Sequence, residues 1–309
     1  MPATRMQRRE AFVRTNLPWR KVFAKRVVHR RVQGVDLYLP WAHVLPDFAS
    51  MRPSYGQNLV ELAKELETRA GDTAEPMKVM DIGANVGDSA AQIIAATNAQ
   101  VLCVEGDPYW ANFLRKNLGG NPRATIEEAL LLPDEGDWGD VSPVRTYGTT
   151  RFAQGEANPD ALPSLSTRAL RDKHPTFAQL RLVKSDTDGF DPGLVPAAAG
   201  TWAESAPVLF FEFDPILAKA ADDPEPNAMW EKLARLGYTR LAAWDNTGDR
   251  LGQFDIGDAR RWAATLEPRP THLGYDFWDV AACRSDDTAA TAAFDELMPE
   301  VFDIRGIWR

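Results

Sequence analysis

The sequence predicts an α/β fold built on a doubly wound, mostly parallel sheet. From residue 78 onwards, short apolar runs alternate with segments whose apolar residues recur at helical spacing. Such alternation places parallel strands side by side and uses the helices as right-handed crossovers. A chain of 309 residues with 44% hydrophobic content is long enough for one such core.

The first half of the chain is predicted to form a cap, followed by a regular alternation of strands and helices. Residues 32–39 alternate as a short strand closed by Pro40, and residues 40–56 mix aromatic residues with helix breakers, which is typical of a cap over a pocket. Asn58 is placed to cap a helix that ends at Gly71. We then expect strand 78–82, helix 87–97, strand 100–105, helix 108–118 and strand 123–127.

The second half begins with an interruption. Residues 133–166 are rich in proline and glycine, with strand pieces at 141–146 and 149–153. They form either an insertion that carries substrate contacts or a mobile surface loop. Beyond a short helix within 165–174, we expect strands at 180–184, 207–212 and 277–283, a helix at 226–236, and a hairpin of 237–244 with 250–254.

Cysteine usage and hydropathy indicate a cytoplasmic protein. Cys103 and Cys283 both fall in predicted strands and read as small buried apolar residues, which gives no disulfide framework and no metal cluster. The sequence contains neither an apolar run of membrane-spanning length nor a signal-peptide core. We therefore expect a reducing compartment and no stable membrane insertion.

The net charge of −9 conceals a basic N-terminal arm. Residues 1–33 contain ten Lys or Arg and one acid, whereas the rest of the chain has 25 basic residues against 43 acids. A basic helix that binds nucleic acid or membrane is one interpretation. The other is an arm that lies on its own acidic body or joins two copies of the chain, and the lack of interleaved aromatic residues favours it. We expect no nucleic-acid partner.

The segment from Val79 to Asp88 is the most informative stretch of the sequence. An apolar strand ends at Asp81, and small residues follow at Gly83, Asn85 and Gly87, which predicts a sharp turn with exposed backbone N–H groups. The next apolar strand ends 24 residues later at Glu105, where a carboxylate accepts hydrogen bonds from both hydroxyls of a ribose. Together they predict a nucleoside site.

The glycine spacing indicates which nucleoside is bound. Dinucleotide enzymes favour G-x-G-x-x-G, because a diphosphate needs a cradle of N–H groups, whereas here Asp81 leads the turn and repels phosphate. S-adenosylmethionine carries a sulfonium, an ammonium and a ribose but no phosphate, so we favour it. The alternatives are a nicotinamide-dependent oxidoreductase, which the absence of a Tyr-x-x-x-Lys pair disfavours, and a binding protein that keeps the sheet without turnover.

Each cofactor contact is assigned to a position of the motif. We expect Asp81 and Gly83 at the methionine end, with Asn85 and Gly87 shaping the turn, and Glu105 at the ribose. After the third strand, Glu128 and Ala129 are predicted at the adenine edge.

Several motifs together resemble the FkbM family of S-adenosylmethionine-dependent methyltransferases over about residues 55–285. The resemblance implies a Rossmann-like class I methyltransferase fold, with a seven-stranded sheet ending in an antiparallel hairpin, and O-methylation of a sugar or specialised metabolite. Departures are Asp188 in place of Glu, Ser185 in place of an apolar residue, and a longer turn after Glu105. The motifs are Asp81–Gly87, Glu105, Leu114-x-x-Asn117, Leu182–Gly189, Phe210–Glu212 and Tyr275–Asp279.

The same reading divides the chain into three parts. They are a basic arm and cap at 1–57, a methyltransferase domain at 58–285 with the insertion at 133–166, and a tail at 286–309.

Acids that end the fourth and fifth core strands are the candidates for chemistry. Ligands of open α/β sheets lie outside the carboxyl ends of the strands, so these side chains face the transferred methyl group. Either Asp186 or Glu212 is a general base, or Asp186, Glu212 and Asp214 bind a Mg²⁺ ion that activates the acceptor hydroxyl. Two simpler roles stay open: Asp214 as a helix cap before Pro215, and Asp188-Gly189 as a tight turn.

Histidine and tryptophan supply further candidates. His43 and His272 are the histidines to test as a base. Trp41, Trp110, Trp138 and Trp244 either line an acceptor pocket or belong to the core.

Overall fold

Fourteen strands occur in the computed structural model, which describes residues 23, 26–71, 75–133, 141–145, 150–154, 163–221, 223–245, 247–266 and 277–299. They are β1 (Val27–Val32), β2 (Val35–Pro40), β3 (Lys78–Ile82), β4 (Gln100–Val104), β5 (Ala124–Glu127), β6 (Leu130–Leu132), β7 (Val141–Arg145), β8 (Thr150–Gln154), β9 (Ser164–Ser166), β10 (Leu182–Ser185), β11 (Val208–Phe213), β12 (Tyr238–Asp245), β13 (Arg250–Asp255) and β14 (Trp278–Arg284).

Ten α-helices connect these strands within the same ranges. They are α1 (Leu45–Met51), α2 (Gln57–Ala70), α3 (Asp88–Ala96), α4 (Pro108–Leu118), α5 (Thr167–Lys173), α6 (Asp191–Thr201), α7 (Pro215–Ala220), α8 (Ala228–Arg235), α9 (Ala259–Ala263) and α10 (Thr288–Leu297). Short 3₁₀ turns lie at Pro175–Phe177, Ile256–Asp258 and Ala264–Leu266. No helix of the described segments is long and apolar enough to cross a membrane.

The central sheet has the order β5-β4-β3-β10-β11-β14-β12-β13. The first five of these strands are parallel, and β14 runs antiparallel to both of its neighbours. The predicted α/β class and the mostly parallel sheet are confirmed. The expected seven strands become eight, because β13 pairs with the outer edge of β12 after a tight turn.

Alternate residues of the core strands point to opposite faces of the sheet. Val79 packs against helices α2, α3 and α10 on one face, whereas its neighbour Met80 packs against α6 and α8 on the other. Phe210 and Phe211 of β11 divide in the same way. Burial on both faces explains why these strands read as unbroken apolar runs.

The N-terminal region differs from the prediction. Residues 32–39 do not form one strand but belong to a hairpin, β1–β2, which turns at Gln33 and Gly34. Both residues have positive φ, 46° and 91°, as the favoured two-residue hairpin turn requires. Residues 40–56 were expected to be irregular, yet they contain α1. Most of the basic arm lies outside the described residues.

The ends of helix α2 and the strands of the insertion can also be compared with the sequence prediction. Helix α2 begins one residue before Asn58, after Gly56 at φ 70°, so Asn58 does not cap it. Gly71 ends the helix as expected, with φ 71°. The two predicted strand pieces of the insertion form the antiparallel hairpin β7–β8. In the tail, α10 packs its apolar face against α2.

The β1–β2 hairpin is attached to the body through Asn117 of α4. The side chain of Asn117 accepts from the Tyr38 N–H at 2.7 Å and donates to the Tyr38 carbonyl at 3.1 Å. It also donates to the Val86 carbonyl at 2.8 Å, in the turn that follows β3. One side chain therefore joins the cap to the predicted cofactor turn.

Replacement of Asn117 by alanine should loosen the cap. The backbone groups of Tyr38 and Val86 lose their partner, so we expect about 1–3 kcal/mol less stability and faster amide hydrogen exchange in β2. Asn98→Ala, at an exposed turn residue, is the matched control. Unchanged exchange in β2 of the Asn117 variant would show that other contacts hold the hairpin.

Candidate functional site

The turn after β3 is wedged between the ends of β4 and β10. The N–H groups of Gly83 and Ala84 both donate to the Val104 carbonyl, at 3.0 and 3.1 Å. Gly83 has φ 71°, and a Cβ atom there would lie 2.0 Å from the Asp186 carbonyl oxygen. Only glycine fits this position, which is the reason that the motif requires it.

Glu105, directly after β4, closes the other side of this turn. Its two carboxylate oxygens accept from the backbone N–H groups of Asn85 and Asp107, each at 2.7 Å. Burial raises the pKa of Glu105 to about 7, and the two hydrogen bonds oppose that rise. Each oxygen keeps a further lone pair for a ligand donor.

A first cavity, which we call the β4 cavity, opens beside Glu105. It has a volume of about 520 Å³ including its mouth, with apolar walls from Ile82, Val104, Leu130 and Leu131. Its polar lining comprises three carboxylates together with Asn85 and Thr187, and no Lys or Arg among the described residues. The members used below are Gly83, Asn85, Glu105, Trp110, Ala129, Asp186 and Asp188.

Glu128 was expected at this cavity but points elsewhere. Its carboxylate forms an ion pair with Arg115 of α4, and it is absent from the cavity lining, whereas Ala129 is part of it. The preceding Glu127 is paired with Lys173 and His174. Of the two residues predicted at the adenine edge, Ala129 lines the cavity and Glu128 does not.

Asp81 and Lys184 form a buried ion pair beneath the turn. The Lys184 Nζ lies 3.0 Å from an Asp81 carboxylate oxygen and donates to the Gly83 carbonyl at 3.1 Å. Burial lowers the pKa of Lys184, but Asp81 and Asp186 outweigh it and raise that pKa overall. Asp81 is fully buried and lines neither cavity. It therefore acts on the turn through Lys184.

A second cavity, the cap chamber, lies between the N-terminal cap and the carboxyl ends of the strands. Its volume is about 1120 Å³ including its mouth. It shares Gly83, Asn85, Asp186 and Asp188 with the β4 cavity, so the two cavities adjoin each other. The cap contributes Gln33, His43, Phe48 and Tyr55, and the sheet contributes Lys184, Asp186, Glu212 and Asp279.

The carboxylates of the cap chamber differ in their surroundings. The Asp186 side chain is 50% exposed and lies 3.6 Å from Lys184. Burial and the nearby Asp186 raise the pKa of Glu212 well above its usual value, and no described residue forms a hydrogen bond or ion pair with it. Asp279 accepts from the Asn58 amide at 2.7 Å, while burial raises its pKa to about 7.

The described residues give no support to the predicted Mg²⁺ site. Asp214 caps α7, because one of its oxygens accepts from the N–H groups of Ile216 and Leu217, each at 2.8 Å. In the described part of the chain, no three His, Cys, Asp or Glu side chains are arranged to hold a metal ion. Asp186 and Glu212 line the site without the third ligand that the hypothesis needed.

Asp188 and Gly189 form the tight turn that was the simpler alternative. Their φ angles are 52° and 113°, and a Cβ atom on Gly189 would lie 2.6 Å from the Leu217 carbonyl oxygen. The turn directs Asp188 to both cavities.

His43 is in the site, but its ring nitrogens already face the protein. Nδ1 accepts from the Leu45 N–H at 3.1 Å, and Nε2 lies 3.4 Å from the Asn85 side-chain oxygen. The ring packs edge-on against Trp110, which lines the β4 cavity. His43 thus joins the cap to Asn85 in the turn after β3. His272 lies outside the described residues.

The remaining tryptophans divide between cap and core. Trp41 packs against Phe23, and Trp244 is buried against Phe210. Trp138 lies outside the described residues.

Three site residues were not predicted as such. Tyr55 had been assigned only to the cap, Asn58 to a helix end, and Asp279 only to the family motif. The available signal was an acid inside β14, a strand that is otherwise buried and apolar. A carboxylate within such a strand needs a partner, and Asn58 supplies it.

No protein-family model matches the chain, and no curated protein does either. Among solved structures it resembles human methyltransferase 10 domain containing protein, with 10% identity over 90% of this chain and 97% of that one, and a TM-score of 0.43. A SAM-dependent methyltransferase from Agrobacterium tumefaciens is 10% identical over 84% and 70% of the two chains, with a TM-score of 0.42. Precorrin-6y C5,15-methyltransferase from Geobacter metallireducens is 13% identical over 74% and 86%, with a TM-score of 0.38. Likenesses this distant say nothing about the activity of this chain.

Loss of Lys184 should destabilise the protein more than loss of both partners of the ion pair. Lys184→Met leaves the Asp81 carboxylate buried and unpaired, which costs about 3–5 kcal/mol. Asp81→Leu combined with Lys184→Met removes that charge, so urea unfolding should place the double variant closer to the original protein. Equal stability of single and double variants would show that the pair does not hold Asp81.

The raised carboxyl pKa values predict lower stability at high pH. A group with a pKa of about 7 in the folded chain, against 3.8 when unfolded, binds more protons when folded, so stability falls as pH rises from about 4 to 7. Asp279→Asn should reduce the loss between pH 5 and 8 by about 2 kcal/mol, measured by urea unfolding.

Asp286→Asn is the control for this measurement. Arg284 lowers the pKa of the exposed Asp286, so its titration ends below the window. An equal pH dependence in the Asp279 variant and the original protein would contradict the assignment.

Proposed function

We propose that the protein is an S-adenosylmethionine-dependent O-methyltransferase that acts on a hydroxyl of a small molecule, a sugar or a specialised metabolite. The observation that carries the proposal is Glu105, held by two backbone N–H groups at the mouth of an apolar cavity beside a glycine turn. A carboxylate fixed in this way is suited to two adjacent ribose hydroxyls.

The residues present fit this cofactor. Glu105 would hold the ribose, and the apolar walls around Ala129 would hold the adenine. Gly83 and Asn85, which both line the cavity, would approach the methionine end. The described lining of the β4 cavity has three carboxylates and no basic side chain, so a diphosphate would be repelled, whereas a sulfonium is favoured.

The chain itself must take a proton from the acceptor. S-adenosylmethionine supplies an electrophilic methyl group whose carbon–sulfur bonding pair returns to sulfur as the new oxygen–carbon bond forms. Asp186 lines both cavities, and Glu212 lines the adjoining chamber, so either carboxylate is placed to hold the hydroxyl proton.

The cap supports a small and polar acceptor. The chamber is closed by the segment from Gln33 to Tyr55 and lined by acids that accept hydrogen bonds from several hydroxyls. The same acids oppose a nucleic-acid backbone. The motifs shared with the FkbM family agree with this acceptor class.

Calorimetric titration with S-adenosylhomocysteine and, separately, with NADH tests the proposal. We expect S-adenosylhomocysteine to bind and NADH not to bind. The reverse result would replace the proposal with a nicotinamide-dependent oxidoreductase. Binding of neither would indicate a protein that keeps the sheet without this cofactor.

Glu105 and Glu128 offer a matched pair for the cofactor site. Glu105→Ala should weaken S-adenosylhomocysteine binding at least about tenfold, because the ribose hydroxyls lose a charged acceptor and the turn loses its anchor. Glu128→Ala should leave the affinity unchanged, since that carboxylate pairs with Arg115 outside the cavity. If both variants bind S-adenosylhomocysteine with the same affinity in this titration, Glu105 does not contact the cofactor.

A further inference from the structure

The cap chamber holds more negative charge than a neutral acceptor requires. Its lining contains five acids, Asp88, Asp186, Asp188, Glu212 and Asp279. Lys184 is the one Lys or Arg in that lining within the described chain, and Asp81 already neutralises it. A bound S-adenosylmethionine brings a single net positive charge. Glu212 and Asp279 would still form no ion pair with a described residue.

Two neutral polar groups of the cap point to a ligand independently of these acids. The side-chain oxygen of Gln33 is buried and has no hydrogen-bond partner, although the Gln33 amide nitrogen donates to the Tyr55 carbonyl at 2.5 Å. The Tyr55 hydroxyl has no hydrogen-bond partner among the described residues, and burial together with the nearby carboxylates of Asp186 and Glu212 raises its pKa. Buried polar groups are normally satisfied, so the Gln33 oxygen requires a partner.

The unsatisfied groups of the chamber are mainly acceptors. The Gln33 oxygen and the Glu212 carboxylate can only accept, and the Tyr55 hydroxyl is able to accept as well as donate. What the chamber lacks is a compact, positively charged donor. A protonated amine has three N–H donors and one positive charge. It has no acceptor atom of its own that would need a donor from the chamber.

The aromatic pair at the chamber mouth is compatible with the same ligand. Phe48 and Tyr55 stack with ring centroids 5.7 Å apart, and both line the chamber. Aromatic faces attract ammonium groups. A phosphate or carboxylate at this position would meet both the ring faces and the acids unfavourably.

We propose that the acceptor is a hydroxylated molecule that carries a protonated amine, and that the cap chamber binds this ammonium group between Glu212, Asp279, Gln33 and Tyr55. The inference rests on the proposed methyltransferase function, and it narrows the acceptor to amino sugars and related amino polyols. The hydroxyl that receives the methyl group then lies near Asp186, where the two cavities meet.

The test uses a pair of probes that differ in one group. D-glucamine and D-sorbitol are the same polyol with an amine or a hydroxyl at one end, and sorbitol 6-phosphate is the anionic counterpart. Binding of each is measured by saturation-transfer NMR titration at neutral pH on the full chain saturated with S-adenosylhomocysteine. We expect D-glucamine to bind at least about tenfold tighter than D-sorbitol, and the phosphate to bind weakest.

Variants locate the ammonium site. Glu212→Gln and Asp279→Asn should each reduce the preference for D-glucamine, and Tyr55→Phe should weaken its binding, while S-adenosylhomocysteine binding confirms that each variant is folded. Glu204→Gln is the control, because the exposed Glu204 side chain pairs with Arg171 outside the chamber. This variant should keep the preference for D-glucamine over D-sorbitol.

The outcomes separate the two proposals. If S-adenosylhomocysteine binds but D-sorbitol or its phosphate binds as tightly as D-glucamine, the acceptor inference is overturned and the proposed function stands. A preference that survives both Glu212→Gln and Asp279→Asn also overturns the assigned site. Failure to bind S-adenosylhomocysteine refutes the proposed function, and the inference with it.

Discussion

The ion pair between Lys184 and Asp81 is the constraint on which the rest of the site depends. It joins the ends of two neighbouring parallel strands, and the same ammonium group also holds the Gly83 carbonyl and approaches Asp186. An apolar pair would fill this space at lower desolvation cost. It would not, however, fix a glycine turn against a strand end. The pair therefore sets the geometry of the site: it fixes the position of the turn, whose residues Gly83 and Asn85 line both cavities.

The electrostatics of the site follow from that placement. On one side of the turn, backbone N–H groups stabilise the carboxylate of Glu105. On the far side, the charged groups that act on Glu212 are other carboxylates, and they raise its pKa. Under the proposed function, Glu105 would hold the ribose and Glu212 would meet the positive charge of the acceptor. Lys184 is the one Lys or Arg among the described residues that line the two cavities, and Asp81 already pairs with it.

Sequence patterns predicted the local part of the site and not its distant part. Asp81, Gly83 and Glu105 belong to short strand-turn segments whose geometry is set by nearby residues. The contact between Asn58 and Asp279 joins residues 221 positions apart and exists because β14 inserts between β11 and β12. Glu128 was misplaced because the direction of a side chain after a strand changes with a shift of one residue. No pattern of neighbouring residues predicts that a cap residue such as Tyr55 lines the same chamber as residues of the sheet.

The eighth strand affects how molecules meet one another. β13 is an outer edge of the sheet, with unpaired backbone groups that could template addition of a foreign strand. Its pairing with β12 is interrupted by a bulge at Ala243 and Trp244, opposite Gly252 at φ 128°, and it begins and ends in the exposed charges of Arg250 and Asp255. A kinked edge with charged ends is a poor seed for intermolecular sheet extension, so crowding should not drive this protein into fibrillar aggregates through that side.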